Sequence, residues 1–341
     1  MGLQSEVIVG AVAGVFGVIA LGAFLRRVNW LTEAVDASLL KVMINVLFPC
    51  FIFSVLLGNP ALEEFGNVWL PPVVGFGCTA MGFAAGAALA WTLGPKFGLD
   101  TAAKKRTFAL IVGMFNYGFV PIPIVDALFT ESDGGATLGV LLVHNVGVDL
   151  AMWSLGVMIV SGAMSWAGLK RLVNAPLLAI VGALVLNAIG LPSFAASSEG
   201  ALKLVFDALA GGGGMVAACA IPTALILVGA TVMDEFRKAD LRQGWGVMAA
   251  GCGLRLGVLP VAFLALAWLL GPKALDVAGL ELRRVIAIEA SMPTAVFPVL
   301  LARLYGGDPG TAMRVALATS FVSLITIPLW LGFGLRWLGV G

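Results

Sequence analysis

Charge is what this sequence has least of. Asp, Glu, Lys and Arg make up 11% of its 341 residues, against about 25% in a soluble domain. It holds one histidine, His144, and four cysteines, Cys50, Cys78, Cys219 and Cys252, all within apolar runs and widely spaced. Such spacing gives neither a disulfide framework nor a zinc cluster, so no metal or cofactor is expected. No glycine-rich loop follows a strand and there is no Walker-type lysine motif, which argues against ATP-driven work within the chain. A nucleophile–base set is missing too, so an enzyme is the least supported class. The formal net charge of +1 leaves no bulk field to attract nucleic acid. No connection between apolar runs is long enough to hold a soluble domain.

What remains is hydrophobic: 60% of residues, with mean hydropathy +1.03. That composition belongs to an all-α polytopic membrane protein. A span needs about 20 apolar residues, and ten runs are candidates: 6–25, 37–57, 69–94, 107–129, 137–161, 175–190, 201–232, 244–270, 283–305 and 311–338. The first lacks a basic n-region and carries Arg26-Arg27 on its far side, so it reads as a span and not a cleaved signal. The sixth is short. The seventh contains Gly211 to Gly214, which leaves its start open.

Orientation follows the basic loop residues. Arg26 and Arg27, Lys96, Lys104, Lys105 and Arg106, Lys170 and Arg171, and Arg237, Lys238 and Arg242 all follow odd-numbered spans. The even loops hold only Lys203, Lys273, Arg283 and Arg284. The odd loops are therefore expected on the cytoplasmic side of a bacterial inner (plasma) membrane, with both termini on the other side.

Ten spans invite a division into halves, 1–161 and 175–341. A half with an odd number of spans repeats in inverted orientation. Pro49 in span 2 corresponds to Pro222 in span 7. Trp69 and Trp245 open the Gly-rich spans 3 and 8, and Pro121 and Pro123 in span 4 match Pro293 and Pro298 in span 9. Each proline removes a backbone donor and clashes with the carbonyl four residues earlier, so spans 4 and 9 are expected to break near the midplane. Such a break survives in lipid only if it is buried in protein or lines a watered cavity.

Chemistry should gather there. The second half-helix after each break exposes N–H groups and a dipole end that favour an anion such as a carboxylate. Asn116 and Thr294 could add side-chain polar groups. Arg255, mid-span between Gly253 and Gly257, needs a permanent partner. Two readings stay open: a fixed ion pair with Glu289 or Asp149, and a counter-charge for a substrate carboxylate. His144, Asn145 and Asp149 lie together in span 5, and Glu289 precedes Pro293 by about a turn. A buried histidine and carboxylate beside a transport site are what a proton relay requires, against a simpler role as polar glue between helices. The pairs Gly10/Gly14, Gly82/Gly86 and Gly253/Gly257 read as close helix contacts. Trp69, Trp91, Trp245 and Trp337 read as interfacial anchors.

Asn116, Gly118, Phe119, Ile122 and Pro123 match a motif of the auxin efflux carrier family, which includes plant PIN auxin exporters and bacterial malonate-type carriers. Arg255-Leu256 before Pro260, Met292-Pro293-Thr294-Ala295, Tyr305-Gly306, Asp308, and Thr319, Ser323, Thr326 and Pro328 fit as well. The chain resembles that family over most of its length. The resemblance implies ten helices in two inverted five-helix repeats, with broken helices 4 and 9 crossing at the substrate site, as in the bile-acid-symporter/PIN-like fold. It implies scaffold helices (6–57 and 175–232), transport helices (69–161 and 244–338), an elevator cycle, a homodimer and an organic-anion substrate. Tyr117 stands where the family has a small Thr, and Pro121 replaces a Gly; both bear on pocket shape.

The expectation is a secondary carrier of small carboxylates, with protons as the candidate coupling ion. Substrate contacts are assigned to Asn116, Tyr117, Gly118, Phe119, Pro121, Pro123, Asn145, Arg255, Met292, Pro293 and Thr294, and proton coupling to His144, Asp149 and Glu289. The rivals are a sodium-coupled bile-acid-type symporter and a non-pumping channel or sensor.

Overall fold

Lipid offers backbone N–H and C=O groups no partners, so a chain of this composition must satisfy them within helices. The computed structural model describes residues 2–163, 173–238 and 244–341, with the side chains of 2–5, 235 and 238 excepted. No strand occurs among them. Lys170, Arg171 and Arg242 lie outside the described residues.

The chain opens with α1 (Gly2–Arg27). Next, α2 (Glu33–Val42) runs through a wide π turn, Met43–Leu47, into α3 (Phe48–Leu56). After α4 (Gly66–Thr92) come α5 (Ala102–Gly113), α6 (Pro121–Val125), a π segment at Asp126–Thr130 and the short α7 (Glu131–Asp133). α8 (Ala136–Ala151) leads through Met152–Gly156 into α9 (Val157–Ser161). α10 (Ala175–Ala188) and α11 (Leu191–Ser197) bend by 61° at their junction. α12 (Gly200–Ala218) meets α13 (Ala220–Lys238) two residues ahead of Pro222. α14 (Trp245–Cys252) passes through Gly253–Val258 into α15 (Leu259–Leu270), followed by α16 (Leu280–Ser291), α17 (Phe297–Leu304) and α18 (Pro309–Leu338).

Seven helices among the described residues are long and apolar enough to cross a membrane, or eight if the bent pair is one span. Runs 107–129 and 283–305 are absent from that set because each is interrupted in its middle, which leaves two short halves. Runs 201–232 and 175–190 form helices, and Gly211 to Gly214 lie within α12. The protein is an integral membrane protein.

Packing falls into recurring partnerships. α1 lies on α13, and α3 takes α10 and α12. α4 packs on α5 and α8, and α16 packs on α15 and α18. Across the chain's halves α5 also touches α18, and α16 touches α8. Small residues set the distances. A Cβ at Gly229 would lie 1.9 Å from the Ile19 carbonyl oxygen, and one at Gly22 would lie 2.1 Å from that of Ile226. Gly82 and Gly86 sit against Gly113 and Ala109 in the same way. Gly10, Gly14, Gly253 and Gly257 do not: a Cβ at any of them would meet nothing within 4 Å. Their four-residue spacing alone does not tell a seated neighbour from an outward face.

Charged groups pin helix ends. Arg26, 3% exposed, bonds Asp36 and the Leu31 carbonyl at 3.0 Å and forms an ion pair with Asp234 at 3.2 Å, which ties α1, α2 and α13 together. Arg284 of α16 bonds Asp133 at 3.2 Å and the Val340 carbonyl at 2.8 Å.

Candidate functional site

Two interrupted helices meet at the centre of the fold. α5 ends at Gly113, and residues 114–120 are non-helical until α6 begins with Pro121 in its first turn. α16 ends at Ser291, residues 292–296 are non-helical, and α17 begins with Pro298 in its first turn. At that position a proline gives up an N–H that would have had no intrahelical partner. The two open stretches run antiparallel and complete each other. The Asn116 amide donates to the Pro293 carbonyl at 2.8 Å, and the Ala295 amide to the Met114 carbonyl at 2.8 Å, around a bridge between Phe115 and Thr294. Each break thus satisfies backbone groups that the other exposes, which lets irregular chain persist away from water.

α8 grips the first break. Tyr117 donates its hydroxyl to Asp149 Oδ1 at 2.6 Å, and its carbonyl accepts from Asn145 Nδ2 at 2.7 Å. Asn145 and Asp149, four apart on one helix face, therefore hold one residue by both side chain and backbone. Asn116 Oδ1 accepts from the Val120 amide at 3.4 Å. His144 is buried with its ring 6.4 Å from that of Phe115. Its Nδ1 lies 3.5 Å from Asn145 Oδ1, while its Nε2 has no partner.

Arg255 corrects one sequence expectation. It forms an ion pair with neither Glu289 nor Asp149. Fully buried, it donates Nε to the Met292 carbonyl at 2.8 Å and Nη2 to the Glu289 carbonyl at 2.6 Å. Both carbonyls lie at the C-terminal end of α16, where acceptors run short of backbone donors (that of Glu289 takes the Met292 amide at 3.3 Å) and the dipole favours a cation. The rings of Phe115 and Phe263 lie 5.0 and 5.2 Å from its guanidinium carbon. The wide π turn at Gly253–Val258 carries the side chain, just ahead of Pro260. Pro260 cannot donate to the Leu256 carbonyl four residues back, and Trp330 Nε1 bonds that oxygen at 2.6 Å. The Glu289 carboxylate is buried, and neither of its oxygens has a hydrogen-bond partner.

Exposure divides the predicted residues. Asn116, Tyr117, Gly118, Phe119 and Pro123 are half-buried, and a Cβ on Gly118 would meet open space. Pro121, Asn145, Met292, Pro293, Thr294 and Arg255 are buried behind them. The reachable face of the crossing therefore belongs mainly to the first break. Phe119 points from it onto Phe48, at 5.9 Å between rings, and onto the small cluster of Met43, Ala224 and Leu227. Thr319 of α18 belongs here as well: its hydroxyl lies 2.8 Å from that of Thr294 and also bonds the Val315 carbonyl at 2.9 Å. Its position within the family-like residues of span 10 was the one signal for it in the sequence.

Comparison with known proteins agrees with this architecture. A family model described as membrane transport protein matches residues 7–167 and 163–331. An uncharacterized transporter of Methanothermobacter thermautotrophicus is 27% identical over 324 residues, covering 94% of this chain and 96% of its own. The chain belongs to the membrane transport protein family, that of the auxin efflux carriers.

Proposed function

We propose that this protein is a secondary carrier of small organic anions, with a carboxylate bound at the crossing of the two broken helices. The observation that carries the reading is the pair of antiparallel breaks joined through Asn116–Pro293 and Met114–Ala295. Discontinuous helices of this kind mark substrate sites in carriers, because their half-helix ends point dipoles and backbone donors at an anion. The half-buried Asn116–Phe119 face is where such a ligand would reach.

The wider scheme is ten spans in two inverted repeats, with both termini on the non-cytoplasmic side. Paired contacts support it: α1 on α13 is mirrored by α10 on α3, and α5 on α18 by α16 on α8. In that scheme spans 1, 2, 6 and 7 form a scaffold and spans 3–5 and 8–10 a body that moves in an elevator cycle, within a homodimer. His144, Asp149 and Glu289 are the coupling residues, and the partnerless Glu289 carboxylate favours coupling to a cation. A proton is the first candidate, and sodium, as in a bile-acid-type symporter, the second.

Uptake of labelled dicarboxylates into proteoliposomes tests the reading. Asn116→Ala should lower uptake about tenfold or more, the size of one lost charge-assisted contact, with the melting temperature nearly unchanged. Wild-type uptake by that variant would sink the assignment. An imposed pH gradient and an imposed sodium gradient, applied separately, distinguish the coupling ions.

A further inference from the structure

Away from the crossing, the end of α4, the start of α5 and the end of α9 border an open groove of about 370 Å³. Its walls are Ala87, Trp91, Ala109, Met158 and Ile159, and Arg106 supplies the charge. Arg106 Nε is buried and has no hydrogen-bond partner, which is the condition of a donor awaiting an acceptor. The chain is shaped around this guanidinium. Gly162 has φ +70°, and a Cβ there would lie 2.4 Å from Nη1 and 2.9 Å from Cζ of Arg106. Of the neighbouring cations, Lys104 Nζ bonds Asp100 at 2.7 Å, and Lys105 Nζ sits 5.7 Å from the centre of the Trp91 ring at the groove's wall.

We propose that this groove holds an anionic phospholipid, its phosphate on Arg106 and the upper part of one acyl chain along Ala87, Ala109, Met158 and Ile159. Helix ends, and a half-exposed Trp91 among them, place the groove at headgroup depth. A guanidinium matches a phosphate with two parallel donors. The apolar walls match methylenes, from which a free aqueous anion gains nothing. Lys96 and Lys105 nearby add a field that favours an anionic headgroup over a zwitterionic one, whereas the charge of Lys104 is offset by Asp100.

Native mass spectrometry of the full-length protein, titrated with phosphatidylglycerol or phosphatidylcholine, tests this directly, alongside thermal shifts with inorganic phosphate. The wild type should retain phosphatidylglycerol in preference to phosphatidylcholine. Arg106→Gln should lose that preference about tenfold or more, the effect of one charge-assisted pair. Ala87→Phe should weaken retention of both lipids by filling the groove, and Lys104→Gln should leave it unchanged. Melting temperatures without added lipid confirm that each variant is folded; if Arg106→Gln is not, Arg106→Lys should give intermediate retention. Equal retention by wild type and the Arg106 variant would overturn the proposal. So would stabilisation by inorganic phosphate equal to that by phosphatidylglycerol together with an indifferent Ala87→Phe.

Discussion

Replacing Arg255 by methionine separates the cap of a broken helix from the counter-charge of a substrate. Methionine keeps roughly the length of the stem and removes the guanidinium. The buried Met292 carbonyl then loses its donor at 2.8 Å, at about 1–3 kcal/mol, and the Glu289 carbonyl loses one at 2.6 Å while keeping the Met292 amide at 3.3 Å, at about 0.5–1.5 kcal/mol. The faces of Phe115 and Phe263 lose a cation, at about 2 kcal/mol for a desolvated site. Against this, removing a buried charge returns a desolvation penalty of several kcal/mol. The net expectation is a loss of about 1–3 kcal/mol, since the larger part of the two sums cancels. Arg255→Lys keeps the charge but presents a compact ammonium that can serve one carbonyl well, so its loss should be about half as large. Thermal unfolding in detergent should show a fall of several degrees for methionine and an intermediate value for lysine. KM for the transported carboxylate should stay unchanged in the lysine variant. A methionine variant that melts like the wild type yet no longer binds carboxylate would refute the capping argument and make Arg255 a ligand contact.

Three further outcomes follow from the packing and hydrogen bonds. Gly147→Ala places a Cβ 1.8 Å from the Pro72 carbonyl oxygen; it should abolish a monodisperse peak in size-exclusion chromatography, while Gly10→Ala, which meets open space, should elute as the wild type does. Tyr117→Phe strips Asp149 Oδ1 of its donor and should destabilise by about 1–3 kcal/mol; an unchanged melting temperature would deny that bond a structural role. Thr294→Val removes one partner of the Thr319 hydroxyl, which keeps the Val315 carbonyl, so the cost should be about 0.5–1.5 kcal/mol, measured the same way.

The helical class and the two breaks were legible because proline states its consequences locally. Pro121 and Pro298 cannot sit mid-helix without a lost donor and a clash, and both stand in the first turn of a new helix. The polar trio was half legible. Spacing put Asn145 and Asp149 on one face, but nothing in the sequence said that both would close on Tyr117. Of the two readings open for Arg255, the ion pair is absent because sequence shows charged partners and hides carbonyls, and a helix end that stops in mid-membrane offers carbonyls. The wide turns ahead of Phe48-Pro49 and Leu259-Pro260 are tertiary compromises: the proline signals some disturbance, while packing decides that it is a π turn and not a kink. Gly10/Gly14 and Gly82/Gly86 share one spacing, yet only the latter is pressed against a neighbour. That difference depends on which face the rest of the fold covers.

The seam between the two breaks is made of main-chain atoms alone. Its donors are the amides of residues 116 and 295, and its acceptors the carbonyls of 293 and 114. No side chain is needed to close its two hydrogen bonds, so the half-buried residues 116–119 can change without unfastening them, while the buried ones at 114, 115 and 292–295 must keep their size and stay uncharged. Only proline at 116 or 295 would delete a donor outright. The geometry of the crossing is therefore independent of which side chains line its half-buried face.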